Sequence, residues 1–218
     1  MKRFAFTLLE LVFVIIVIGI LAVLAMPSFD KNPLQDVAMK VANDIRYTQH
    51  LAMVDDKFDA TDATWFREKW QIRFRRNSGV SGYVIFSDYI NTQANSDNAE
   101  MAIDPLSGER MNGFDQYSDA NLTARYGIKG DDSGIVQSCF TADGSLVTSN
   151  RGVFTFDNLG RPYWGVSNAT SAEDYLMTSD CNLTLTNTQG NSIIIRVTEG
   201  TGYVCVLDSA TGKCQGSD

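Results

Sequence analysis

Basic residues are scarce in this chain. Its 218 residues include 18 Lys and Arg against 26 Asp and Glu, which gives a net charge of −8 at pH 7. Loss of an N-terminal leader carrying Lys2 and Arg3 would leave 16 basic residues against 26 acidic ones, a net charge of −10. An overall attraction to nucleic acid or to anionic lipid is therefore not expected, although a local basic patch remains open.

Catalytic motifs are also missing. His50 is the only histidine, and the sequence contains no Gly-x-Ser-x-Gly, His-Glu-x-x-His or phosphate-loop pattern. A catalytic histidine needs a nucleophile and an orienting group close to it. We therefore expect His50 to lie at the surface or in a packing contact, and we predict a protein that is not an enzyme and needs no cofactor.

Cysteine is absent from the first 138 residues, and no Cys-x-x-Cys pair suggests zinc binding or redox chemistry. The chain has four cysteines, at Cys139, Cys181, Cys205 and Cys214. Behind an export signal, an even number predicts one or two disulfides formed in an oxidising compartment. Free buried thiols are the alternative.

The N-terminus is one long apolar run. The sixteen residues from Leu11 to Met26 carry no charge, and the run extends back to Phe6 with Thr7 and Glu10 as exceptions. A helix over 6–27 would be roughly 30 Å long, the thickness of a bilayer's hydrocarbon core, so the run predicts a transmembrane helix. The alternative is a secretory signal peptide, cleaved after Ala25, although this run is longer than a usual signal core.

A carboxylate at the start of such a helix requires an explanation. A charge at the centre of a membrane helix costs on the order of 3 kcal/mol, and less near the interface. Glu10 therefore indicates a function, and a partner charge that neutralises it.

Glu10 belongs to a motif. The stretch "KRFA" followed by "FTLLELV" resembles the class III leader junction of type IV prepilins and type II secretion pseudopilins. The resemblance implies a leader at 1–5, cleavage by a prepilin peptidase between Ala5 and Phe6, and N-methylation of Phe6. These proteins usually have Gly where this chain has Ala5. Pro27 lies where they commonly place a helix-kinking proline.

The resemblance gives Glu10 a role in subunit assembly. In a helical stack, its carboxylate would neutralise the new amine of Phe6 on a neighbouring subunit. A buried charge is tolerated when it is paired. The pair would also set axial register, as one buried polar residue does in a coiled coil.

An amphipathic helix is predicted over 28–58, continuing from the membrane helix into the soluble domain. Residues spaced by three or four form its apolar stripe, and Lys40, Asn43, Asp44 and Arg46 lie off it. The stripe consists of Leu34, Val37, Ala38, Val41, Ile45, Thr48 and Ala52.

Beyond this helix the apolar period changes to two, which predicts strands at 70–74, 83–86, 135–140, 152–156, 181–186, 192–198 and 203–207. The stretch 91–134 has no sustained period and is predicted to be a long surface loop. The predicted fold class is α+β, with a long N-terminal transmembrane and amphipathic helix packed on an antiparallel β-sheet domain over 59–218.

The strand order limits which cysteines can form a disulfide. If the last three strands form consecutive hairpins, Cys181 and Cys205 lie about 9–10 Å or more apart, beyond disulfide reach. Of the three possible pairings this excludes one, and we expect Cys205 to pair with Cys214, which closes the C-terminal tail, and Cys139 to pair with Cys181.

Acidic residues cluster at three places, and their oxygens would suit Ca²⁺. None of the clusters matches a defined calcium loop, so we expect solvated loop charge and no metal site. The clusters are Asp55, Asp56, Asp59 and Asp62, then Asp131 and Asp132, and finally Asp104 with Asp115 and Asp119.

Three later segments resemble one particular class of these proteins. "ANDIRYTQHLAM", "GVFTFDNLGRPY" and "SIIIRVTEGTGYVCV" resemble parts of GspH/FimT-type minor pseudopilins. The resemblance implies a minor pilin or pseudopilin that assembles into a type IV pilus or a type II secretion pseudopilus. It would be a single-pass protein of the bacterial inner membrane with its C-terminal domain in the periplasm. Its partners would be other pilins or pseudopilins, the prepilin peptidase, the inner-membrane assembly platform and the membrane.

Two other functions stay open. One is a secreted soluble protein with a conventional signal peptide, and the other is a pilin-like DNA receptor for natural transformation. Some pilins of this type bind DNA through basic residues near the C-terminus, where this chain offers only Lys213. Arg151, Arg161 and Arg196 could gather in the fold, but the overall charge does not favour DNA binding.

Overall fold

The computed structural model describes residues 7–25, 33–89, 96–141, 144–149, 151–166 and 168–216. The chain divides into two compact units, Met1–Asn32 and Pro33–Asp218. Within the first unit the structure describes one helix, α1 (Leu8–Ala25). The predicted cleavage and methylation site at Ala5 and Phe6 and the predicted kink at Pro27 lie outside the described residues.

The second unit begins with a helix and continues mainly as strands. Helix α2 (Pro33–Val54) is followed by a 3₁₀ turn at Trp65–Arg67. The remaining elements are β1 (Trp70–Asn77), β2 (Val80–Ser87), α3 (Leu122–Tyr126), β3 (Ile135–Phe140), β4 (Leu146–Ser149), β5 (Val153–Phe156), β6 (Pro162–Tyr163), β7 (Cys181–Thr186), β8 (Ser192–Val197) and β9 (Val204–Val206).

The strands form two antiparallel sheets. The first has the order β2-β1-β5-β6 and the second the order β4-β3-β7-β8-β9. Helix α2 packs on β1 and β5 of the first sheet and on β8 and β9 of the second. All seven predicted strands are confirmed, and β4 and β6 were not predicted because one is short and exposed and the other has two residues.

The predicted apolar stripe of α2 is confirmed, since all seven of its residues are buried. The expectation that Asp44 lies off the buried face is wrong, because Asp44 is 8% exposed. Its carboxylate accepts hydrogen bonds from Lys40 Nζ, at 2.8 Å, and from the Tyr83 hydroxyl. Burial raises the pKa of Asp44, and these two partners oppose that shift.

The predicted fold class is wrong in its N-terminal part. Where one long helix with a kink at Pro27 was expected to continue into the soluble domain, the structure describes two helices, α1 and α2, of which the second begins at Pro33, and residues 26–32 lie outside the described residues. Proline has no backbone N–H and disfavours helical geometry in the residue before it, so it starts helices more readily than it continues them. The chain is mostly β, with short N-terminal helices and two antiparallel sheets.

The transmembrane prediction is also wrong. Among the described residues, no helix combines the length and the apolar character that crossing a membrane requires. The predicted membrane helix over 6–27 and the predicted single-pass localisation in the inner membrane are contradicted by this finding.

Both predicted disulfides are confirmed. Cys139 pairs with Cys181 and thereby links β3 to β7. Cys205 pairs with Cys214 and fastens the C-terminal tail to β9. Disulfides of this kind form and persist in oxidising compartments.

Phe154 tests the assignment of the core. Its ring is fully buried, and it lies opposite Ile72 in the first sheet. We expect Phe154→Ala to lower the free energy of unfolding by about 3–5 kcal/mol, because the substitution leaves a cavity. Urea denaturation of the full chain measures the loss. Leu159→Ala, at a side chain that is 70% exposed, is the control and should change stability by about 0.5 kcal/mol or less. Equal losses in the two variants would contradict this core.

Candidate functional site

A groove lined by arginines lies beside the β1–β2 hairpin. We call it the arginine groove, and its volume is about 520 Å³. This volume falls within the range of small-ligand sites, roughly 300–1,000 Å³. Its lining residues are Arg73, Arg75, Arg76, Asn77, Phe114, Arg151 and Val153.

The hairpin positions two of these arginines. Its turn residues Ser78 and Gly79 have φ values of 49° and 81°, and a two-residue turn with both values positive matches the twist of the flanking strands. Along β1, alternate side chains point to opposite faces of the sheet. Ile72 and Phe74 therefore enter the core, whereas Arg73 and Arg75 lie on the other face and line the groove.

Strand β5 brings in the next arginine. Val153 lies opposite Arg73, and the Phe74 N–H donates to the Gly152 carbonyl at 2.7 Å. This register continues into the residue before Gly152, so Arg151 comes close to Arg75. Burial lowers the pKa of Arg75, and the like charge of Arg151 lowers it further.

Arg73 forms the floor of the arginine groove. Its side chain donates to Gln71 Oε1 at 2.7 Å and lies 5.3 Å from the centroid of the Phe86 ring. Burial and then the charge of Arg75 lower the pKa of Arg73 to about 10, while Asp88 opposes the shift. Arg73 is therefore still a cation at neutral pH, and its orientation is fixed.

Phe114 lies at the groove because the segment that contains it, at Gly113, runs along the edge of β2. The Gly113 N–H donates to the Tyr83 carbonyl at 2.9 Å. A Cβ atom on Gly113 would lie 2.5 Å from Tyr83 N, so only glycine permits this approach. The adjacent Phe114 is half-buried and forms an apolar part of the wall, as Val153 does.

Three carboxylates offset part of the positive charge. Asp132 pairs with Arg76 at 2.7 Å, in an exposed pair of the kind that contributes about 0–1 kcal/mol. The charge of Asp131 also interacts with that of Arg76, and the charge of Asp88 interacts with that of Arg73. Four arginines against three carboxylates leave the described part of the groove positive. One guanidinium group can donate two parallel hydrogen bonds to the oxygens of a carboxylate or a phosphate, so this arrangement can hold an oxyanion.

Most of this groove was not predicted from the sequence. Of Arg151, Arg161 and Arg196, which were expected to gather in the fold if a basic patch existed, only Arg151 lines the groove. Arg161 pairs with Asp157 at 2.7 Å, and Arg196 pairs with Asp180 at 3.9 Å. The stretch "RFRRN" at 73–77 was the available signal, since alternate arginines in a strand lie on one face.

Helix α1 is the second candidate surface. Its large apolar side chains from Leu8 to Ile20 are exposed, from 45% for Val12 to 84% for Leu8. Glu10 lies in the first turn and is exposed, and its N–H donates to the Thr7 carbonyl at 3.1 Å. A helix that is apolar all round requires an apolar cover.

The remaining candidates act locally. His50 is exposed on α2. Several of the clustered carboxylates accept hydrogen bonds from backbone N–H groups two residues further on, which stabilises turns. Within the described ranges, no group of three or more His, Cys, Asp or Glu residues is arranged to hold a metal ion.

No protein-family model, curated protein or solved structure matches the chain. Similarity to known proteins therefore adds nothing to the chemistry of the arginine groove and of α1.

Lys69, directly before β1, is a buried cation outside the arginine groove. It is 5% exposed, its Nζ donates to the Ala172 carbonyl at 2.8 Å, and it lies 3.7 Å from the centroid of the Tyr163 ring. Burial lowers its pKa from 10.5 to about 8, because desolvation disfavours the ammonium form.

Lys69 predicts a rise of stability with pH. Between about pH 8 and pH 10.5 the unfolded chain keeps a proton on Lys69 that the folded chain has lost, so the free energy of unfolding increases across this window. Below pH 8 the destabilising contribution is fully present. We expect Lys69→Met to remove the rise, measured as the difference in urea midpoint from the unmodified chain. Lys213→Met, at an exposed lysine, is the control, and a flat difference for both variants would contradict the shift.

Proposed function

We propose that this chain is a pilin-like DNA receptor. The single observation that carries the proposal is the arginine groove, which gathers Arg73, Arg75, Arg76 and Arg151 on a chain whose net charge is −8. Phosphate contacts by arginine supply most of the affinity in non-specific DNA binding. The groove is therefore the place where a polyanion would meet positive charge.

The pilin-like part of the proposal rests on the N-terminus. The motif "FTLLELV" places Glu10 four residues after the prospective amine of Phe6. The two disulfides support an exported domain, where DNA from outside the cell would be encountered.

The groove can be tested by removing two of its charges. We expect Arg75→Ala/Arg151→Ala to weaken DNA binding at least tenfold, because two phosphate contacts are lost. The slope of log Kobs against log salt should fall by about 0.7–0.9 for each lost contact. Fluorescence anisotropy over a salt series measures both quantities.

The control removes equal charge elsewhere. Arg110 and Arg125 are exposed and lie outside the groove, so Arg110→Ala/Arg125→Ala should change affinity by less than about threefold, the scale of a surface charge effect. The absence of salt-sensitive binding at micromolar protein, or equal losses in the two double variants, would count against the receptor function.

A second candidate function is that of a structural subunit in a type IV pilus or a type II secretion pseudopilus. The exposed apolar surface of α1, together with Glu10 in its first turn, favours it. In such a fibre the α1 helices of neighbouring subunits would cover one another. The partners would be other pilins or pseudopilins, the prepilin peptidase and the assembly platform.

Glu10 provides the test of assembly. We expect Glu10→Ala and the isosteric Glu10→Gln to leave processing intact and to reduce incorporation into sheared fibres strongly, because the amine of a neighbouring Phe6 loses its counter-charge. Glu109→Gln, at an exposed carboxylate of the second unit, is the matched control. Intact mass should show a mature chain that begins with methylated Phe6. A mature chain beginning at Met26 would instead identify a secreted protein, and normal incorporation of both variants would refute the role of Glu10.

A further inference from the structure

We propose that the arginine groove takes a single strand of DNA in preference to a duplex, with a base stacked on Phe114 and phosphates on Arg75 and Arg151. This inference rests on the proposed receptor function and specifies its ligand. It follows from the size of the groove, the depth of Arg73 and the aromatic ring in the wall.

The dimensions of the groove favour a flexible chain. Its volume of about 520 Å³ is that of a small-ligand site. Duplex DNA is stiff, with a persistence length of about 150 base pairs, and its phosphates lie on a convex surface. A single strand can bend into the groove and present its phosphates and bases at different depths.

The depth of Arg73 strengthens this argument. Its side chain lines the groove but is only 7% exposed, and Gln71 Oε1 holds it at 2.7 Å. A phosphate on a rigid rod would contact the rim at Arg76 and Arg151, which are exposed. A flexible strand would also bring an oxyanion towards the fixed charge at the floor.

Phe114 adds a contact that a duplex cannot use. Proteins that bind single strands combine a positive groove with aromatic rings on which unpaired bases stack. The half-buried Phe114 lies among the arginines of the wall, with Val153 as a second apolar group. In a duplex the faces of each base are covered by its neighbours, so the ring would gain no stacking.

The repulsion between Arg75 and Arg151 favours the binding of phosphate beside them. Arg75 and Arg151 lie close enough that Arg151 lowers the pKa of Arg75. A phosphate near both groups would relieve this repulsion and favour their charged forms. Asn77 adds an amide at the rim that can donate to a sugar or base oxygen.

The experiment measures the binding of three labelled probes to the full chain in mild detergent by fluorescence anisotropy at one salt concentration. The probes are an oligothymidylate of about 12 nucleotides, its duplex with oligoadenylate, and an abasic strand of equal length. We expect the oligothymidylate to bind about tenfold more tightly than the duplex and about tenfold more tightly than the abasic strand, because only it can both bend and stack.

A substitution of Phe114 tests the stacking contact by changing the protein instead of the probe. We expect Phe114→Leu to weaken binding of the oligothymidylate about tenfold and binding of the duplex by at most about twofold, because leucine offers no aromatic ring and only unpaired bases stack on it. Phe58→Leu, at an aromatic residue that is 62% exposed and outside the groove, is the matched control and should change neither affinity.

Each outcome has a defined meaning. Equal or tighter binding of the duplex overturns the preference for a single strand and leaves the receptor function standing. Binding of none of the probes refutes the receptor function itself. Equal affinity for the abasic strand and the oligothymidylate overturns the stacking on Phe114, and this comparison decides the point with the unmodified protein if Phe114→Leu does not fold.

Discussion

The packing of α2 across both sheets is the contact on which the rest of the second unit depends. Its buried stripe faces β1 and β5 on one side and β8 and β9 on the other. Because the inner face of the first sheet is used for this packing, Arg73 and Arg75, which alternate with Ile72 and Phe74 along β1, lie on its outer face. The arginine groove lies on that outer face, so the helix and the groove are consequences of one arrangement.

Because side chains alternate along β1, this one strand contributes both to the apolar core and to the arginine groove. Ile72 and Phe74 bury apolar surface, at roughly 25 cal/mol per Å² removed from water. The neighbouring Arg73 is buried as well, and burial of a charge is unfavourable unless it is compensated. Gln71 and the Phe86 ring compensate part of this cost, so the stability of the core supports a cation that would be costly alone.

Local patterns predicted much of this fold and little of its candidate site. The period of the apolar residues predicted the α2 stripe and seven strands, and the strand order excluded a disulfide between Cys181 and Cys205. Asp44 was misplaced because its burial depends on Tyr83, which is distant in sequence. The groove was missed because its residues come from β1, from the segment after Gly113 and from the start of β5, and only their register brings them together. The prediction of one long N-terminal helix was wrong because the structure describes two helices, and Pro33 at the start of α2 is the local signal for the second one.

The net charge of the chain and the local charge of the groove act on a polyanion in opposite directions. At a distance the net charge of −8 repels it, whereas at contact four arginines attract it. At physiological ionic strength the screening length is about 8 Å, so carboxylates further away than this contribute little once a strand has reached the groove. Repulsion therefore acts mainly on the approach and attraction mainly on the bound state. If the groove binds DNA as proposed, the acidic surface would disfavour binding elsewhere, so the negative charge of the chain would confine DNA to this one place.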